Sequence, residues 1–206
     1  RIDNGLEWWK PFILVAVIVI IIVWAQSPVT LHVTSLNERG LSEEQLQNTL
    51  DGMEKLQILQ YIIAPIWILI TSLLIAAVIN ITANLMSGRS NYRKALSLSL
   101  FVGLITLVEQ IISVVVVRMR GIENIQSTED AQISLSLAPL FPDASKLMTS
   151  FLESLSIFRI WYYIVMALGI AAIYRINVKK SAVPVVILWI IYFLVIYLFS
   201  LLRGSV

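Results

Sequence analysis

Between Lys55 and Arg89 the chain carries no charged side chain. No helix or strand of a water-soluble fold needs an apolar run this long. A hydrocarbon layer about 30 Å thick, in contrast, takes roughly 20 apolar residues of helix to cross. Four other long apolar runs occur, two without charge and two with a single charged residue, Glu109 in one and Arg175 near the end of the other. Spans are therefore expected at about residues 11–26, 59–84, 96–117, 160–176 and 182–202. The predicted fold is an all-α polytopic membrane bundle of five transmembrane helices, forming one integral membrane domain over residues 1–206. Only 14% of the chain is charged, against about 25% in a soluble domain, and those charges lie between the runs. The longest polar segments, about 30–40 residues, leave no room for a separate soluble domain.

The runs are unequal. The fourth offers 15 uncharged residues between Arg159 and Arg175, so both arginines are expected to snorkel toward the interfaces. The second is long enough to tilt or to extend beyond the membrane. Lys10, the run 12–24 and Ala25-Gln26-Ser27 loosely resemble a signal peptide, whereas Trp8-Trp9 and the retained segment favour a permanent first span.

Charge sets the expected orientation. With the N-terminus inside, the inner segments hold eight basic residues, Arg1, Lys10, Arg89, Arg93, Lys94, Arg175, Lys179 and Lys180, and two acidic ones, Asp3 and Glu7. The outer segments hold seven basic and ten acidic residues over longer stretches. Short loops weigh most in this bias, which gives N-in, C-out. Trp8, Trp9, Tyr92 and Tyr174 then fall at inner boundaries; Trp24, Tyr61 and Trp161-Tyr162-Tyr163 fall at outer ones. Trp67 and Trp189 lie deeper and are read as packing residues.

The two outer loops carry amphipathic helices in this reading. Ser42-Glu43-Glu44-Gln45 is a capping box, and Leu46, Leu50 and Met53 follow at helical spacing into the second span. Pro139-Leu140-Phe141-Pro142 breaks the chain before Asp143, which can cap a helix bearing Leu147, Phe151, Leu155 and Phe158.

Polar groups left inside the runs are the candidate site. Glu109, with Gln110 beside it, is the acidic residue inside an apolar run, and Thr106 and Ser113 share a similar helical face. A carboxylate at that depth costs about 2.5–3.5 kcal/mol unless neutral, paired or wet. It is either a protonated or salt-bridged structural acid, with Arg118, Arg159 or another basic residue from the outer boundary as partner, or a proton relay or cavity wall. Pro65 removes a helix hydrogen bond and is expected to kink the second span. Asn80, Thr82, Asn84 and Thr71-Ser72 read as interhelical glue, Gly103 and Gly169 as points of close helix approach, and Pro184 as the start of the fifth span. Arg89, Arg93, Lys94, Arg175, Lys179 and Lys180 could contact anionic lipid headgroups, although topology alone accounts for them.

Several chemistries are disfavoured. There is no cysteine, and the one histidine, His32, has no neighbouring histidine. Thiol catalysis, disulfides and a His- or Cys-based metal site are not expected. No nucleophile elbow, phosphate-binding glycine loop or His-Glu-x-x-His helix occurs. No cofactor, metal, catalytic residue or nucleic-acid partner is predicted.

The run from Leu41-Ser42-Glu43-Glu44-Gln45 to Ala64-Pro65 is followed by Gly88-Arg89-Ser90-Asn91-Tyr92-Arg93-Lys94, Ser134-Leu135-Ser136-Leu137, Phe158-Arg159-Ile160-Trp161, Gly169 and Lys179-Lys180. In that order, over about residues 41–202, these segments resemble the Yip (Ypt-interacting protein) domain family in its bacterial form. The resemblance implies a non-enzymatic five-span protein, similar to relatives in membrane trafficking and to bacterial ones that accompany ABC-type exporters. The Asp-Leu-Tyr-Gly-Pro motif of eukaryotic members is absent, and the segment before Pro11 is short, so small-GTPase binding is not carried over. The expected function is an accessory or scaffold acting through lipid organisation or another membrane protein, with homo-oligomerisation as a further expectation. The alternative is a small transporter or channel built around Glu109.

Overall fold

The computed structural model describes residues 7–37, 43–87, 91–125 and 135–203. Its elements are α1 (Trp9–Asn37), α2 (Glu43–Ser87), α3 (Tyr92–Arg120), α4 (Lys146–Glu153), α5 (Ile157–Tyr174) and α6 (Val178–Arg203), with short 3₁₀ turns at Ile122–Asn124 and Ala138–Leu140. α1, α2, α3, α5 and α6 are long and apolar enough to cross a membrane. This is an all-α integral membrane protein of five membrane-length helices.

α1 continues past the expected end at residue 26 to Asn37, carrying Pro28 inside it. α2 is unbroken for 45 residues, with Pro65 inside. At 1.5 Å per residue it is about 68 Å long, more than twice a hydrocarbon layer. The amphipathic segment expected before the second span is the first part of this one helix. Ser42, the cap of that box, lies like Arg89 outside the described residues.

Two compact units can be distinguished. One comprises Arg1–Ile13, Ile70–Thr106 and Ser134–Val206; the other comprises Leu14–Leu69 and Leu107–Ile133. In the first, the buried face of α2 is Ser72, Ala76, Ile79 and Ala83, at helical spacing. α5 buries Tyr162, Met166, Ile170 and Tyr174, one residue per turn. Ser99 donates from α3 to the Ser72 carbonyl of α2 at 3.1 Å. Gly169 of α5 faces the Leu98 side chain, whose Cδ2 would lie 2.9 Å from an added Cβ, so the expected close approach occurs there. Gly103 has open space around it instead. In the second unit, Val29 and Val33 of α1 pack with Val117 of α3 and with Ile125 just beyond it.

The loop before α5 differs from expectation in three ways. Ser145, not Asp143, caps α4, accepting from the Met148 N–H. The amphipathic helix stops at Glu153, leaving Leu155 in the break and Phe158 in α5. The break arises because Ser156 turns extended and caps a new helix, accepting from the Arg159 N–H at 3.0 Å. Ser156 also forms an isolated antiparallel bridge with Ser136, supported by Leu137 N–H to the Leu155 carbonyl at 3.2 Å. Ser156→Ala should destabilise the protein by about 1 kcal/mol, the usual worth of a serine cap, read by thermal unfolding in detergent. Ser156→Asp should recover most of the loss.

α4 is not an isolated surface helix. Ser150 donates to Ser200 at 3.2 Å, Phe151 packs edge-on to Trp189 and Phe193, and the Trp189 N–H donates to Ser154 at 3.3 Å. Rising α4 numbers meet falling α6 numbers, so α4 runs antiparallel to the later half of α6. Trp189 is thus the packing residue expected. Trp67 is 64% exposed and is not enclosed by its own chain.

α5 ends where Arg175 adopts the left-handed conformation (φ 52, ψ 46) and the Ile176 N–H returns to the Ala171 carbonyl at 3.2 Å. A side chain in that conformation costs about 1–2 kcal/mol, partly offset by its cation at the negative helix end. Asn177 then opens α6, its Oδ1 accepting from the Lys179 N–H at 3.0 Å. Pro184 therefore does not begin the helix. It lies inside α6, fully buried, its ring part of the packing.

Candidate functional site

The structure sorts the polar candidates by what they touch. Thr106, Glu109, Gln110 and Ser113 all lie on α3. Thr106 is spent on its own helix, donating to the Gly103 carbonyl at 2.8 Å. Glu109 and Ser113 are half-buried and Gln110 is exposed. Arg118, one expected partner for Glu109, donates instead to the Ala25 carbonyl of α1 through Nε (3.2 Å) and Nη2 (2.7 Å). Pro28 has no N–H to give the Trp24 carbonyl four residues back, and the carbonyl that Arg118 takes up is the next one along, in the same turn of α1. Arg159, the other expected partner, donates to Tyr192 at 2.8 Å. Glu109 forms no ion pair among the described residues.

The most connected polar centre is Asn80 on α2. Its Oδ1 accepts the Asn91 backbone N–H at 2.8 Å and the Tyr174 hydroxyl at 2.9 Å. One amide oxygen therefore joins α2, the residue just before α3, and the last turn of α5. Asn91 Oδ1 in turn accepts from the Lys94 N–H at 3.3 Å. The chain neighbours of these groups are Arg93, Lys94 and Arg175, with Lys179 and Lys180 opening α6. Lys179, Lys180 and Arg175 are exposed. Of the expected basic set, Arg93, Lys94 and Arg175 thus sit at helix ends fastened by Asn80, and Lys179 and Lys180 lie in the first turn of α6. Pattern reading found Asn80 as glue, but its partner Tyr174 lies 94 residues away, which no local pattern reports.

A second polar seam joins α1 and α2. Ser27 donates to Gln57 Oε1 at 2.6 Å and Gln57 Nε2 donates back to the Ser27 carbonyl at 3.2 Å. Gln57 is buried at 7% exposure. Beside it runs an open groove of about 540 Å³ lined by Trp24, Asp51, Lys55 and Tyr61. Further along the same seam His32 meets the Ile125 carbonyl at 3.2 Å, closing α1 onto the segment that follows α3. Sequence reading missed this seam. Gln57 was the available signal, a polar residue just inside the longest uncharged run.

No group of three or more His, Cys, Asp or Glu residues able to hold a metal occurs among the described residues. What the arrangement offers is a set of helix-fastening hydrogen bonds, a basic end and a charged, aromatic groove.

Over its full length the chain is 29% identical to Membrane protein YknW of Bacillus subtilis (strain 168), covering 84% of that protein. No solved structure matches it. The Yip1 domain matches residues 1–200, nearly the whole of the helical framework described above. With its five membrane-length helices, the chain belongs to the Yip1 domain family.

Proposed function

We propose that this protein is a non-enzymatic accessory of the membrane, working through another membrane protein, with an ABC-type exporter as the class of partner its family suggests. The observation that carries the reading is the length of α2. A helix of 45 residues, about 68 Å, cannot lie wholly within a 30 Å hydrocarbon layer. Its first part bears Glu44, Asp51 and Lys55 and is exposed at those positions. It is fastened to α1 at Ser27 and Gln57, so a rigid, charged structure stands outside the membrane, where a partner can dock. The N-terminus and the basic helix ends lie on the cytoplasmic side of the bacterial inner membrane in this proposal, as the charge bias favours.

Purification in a mild detergent is expected to recover a stoichiometric second membrane protein or a homo-oligomer. A solitary monomer in every mild detergent would sink the proposal. Disrupting the projecting surface with Asp51→Lys and Lys55→Glu together should reduce recovery of the partner. Glu109→Gln should leave it unchanged. Ion or proton flux in reconstituted vesicles that Glu109→Gln abolishes would favour a transporter instead.

A further inference from the structure

Arg159 is the third residue of α5, and it does not reach outward as an interfacial arginine is expected to do. Its Nη2 donates to the Tyr192 hydroxyl of α6 at 2.8 Å, and its guanidinium carbon lies 4.1 Å from the centroid of the same ring. Two helices give its depth independently. Arg159 is 15 residues before the end of α5 at Tyr174, about 22 Å. Tyr192 is 14 residues after the start of α6 at Val178, about 21 Å. The backbones that carry the pair are therefore roughly 8–9 Å short of the far edge of a 30 Å hydrocarbon layer.

A guanidinium has five N–H donors, and Tyr192 takes one. Among the described residues no carboxylate lies within ion-pair distance of Arg159. No buried side-chain nitrogen there lacks a partner, so the remaining donors reach the protein surface. In a bilayer that surface meets acyl chains, which accept no hydrogen bonds. Arg159 is only half-buried, and its stem can lie along apolar surface while its charged head seeks a polar partner. The flat fork of an arginine matches two oxygens of a phosphate.

We propose that Arg159, held in place by Tyr192, binds the phosphate of an anionic lipid drawn below its usual level. Tyr192 positions the guanidinium; Arg159 makes the ionic contact. The proposal uses the membrane placement of α5 and α6 but not the accessory role, so either can fail alone.

The test uses the full chain, purified and stripped of lipid, with phosphatidylglycerol or inorganic phosphate added and binding followed by native mass spectrometry. Phosphatidylglycerol should bind wild type with an affinity that falls about tenfold in Arg159→Gln, the loss of one charge-assisted pair. Arg159→Lys should retain part of it, and serves if the glutamine variant does not fold. Lys179→Gln with Lys180→Gln, at the other end of α6, should leave this component intact. Unchanged lipid binding in both Arg159 variants would overturn the site. Equal occupancy with inorganic phosphate alone would overturn the lipid as its source.

Discussion

Asn80→Leu should lower stability by about 2–4 kcal/mol, although leucine suits a membrane helix better than asparagine does. The substitution keeps the number and branching of the side-chain heavy atoms and removes the acceptor shared by the Asn91 N–H and the Tyr174 hydroxyl. Interhelical hydrogen bonds in lipid contribute roughly 0.6–1.7 kcal/mol each, and stranding a buried donor adds to that loss. Tyr174 is 1% exposed, so its hydroxyl has little access to water as a substitute. Tyr174→Phe removes one bond and should cost about 1 kcal/mol. Thermal unfolding of both singles and the double variant checks this directly. The double should fall short of the sum by about the energy of the shared bond, and strict additivity would show that the two residues act separately.

The largest packing loss is expected at Ile170→Ala, about 2–5 kcal/mol. Ile170 and Met166, one turn apart on α5, are both 0% exposed. Truncation there leaves a cavity that neither lipid nor water fills. Leu168, two residues away and 51% exposed, is the control: Leu168→Ala should change stability by no more than about 0.5 kcal/mol. Near-equal effects at the two positions would mean that the outward face of α5 is covered by a partner, which itself would support the accessory reading. Ile170→Val should cost only about 0.5–1.5 kcal/mol.

Much of the architecture is legible because a membrane reduces the problem to length and charge. The five runs locate α1, α2, α3, α5 and α6. Their ends are less legible, since α1 and α2 continue well past the apolar runs into more polar sequence. The break between α4 and α5 was hidden for another reason. Leu147, Phe151, Leu155 and Phe158 keep helical spacing through Ser154-Leu155-Ser156, and only the extended backbone of Ser156 interrupts it. The caps themselves are serines whose role depends on a backbone angle, so Asp143 and Ser145 were indistinguishable in sequence. At the candidate site the polar residue types were visible but their partners were not. Arg118 answers a carbonyl beside Pro28, and Arg159 answers a ring on α6. Both choices depend on which helices are neighbours, and with charges this sparse the linear pattern favoured Glu109 instead.

During synthesis α5 would fare poorly as an independent segment. It is the shortest of the five membrane-length helices and carries Arg159 in its first turn, whereas α6 is longer. Only Arg175, Ile176 and Asn177 separate them, too little chain for one helix to settle in the bilayer while the other waits in water. The pair must therefore insert as a hairpin, with α6 drawing in its weaker partner and Tyr192 meeting Arg159 as the two helices enter. Lengthening that three-residue turn should leave the finished fold nearly untouched and yet reduce the fraction of chains in which α5 is integrated.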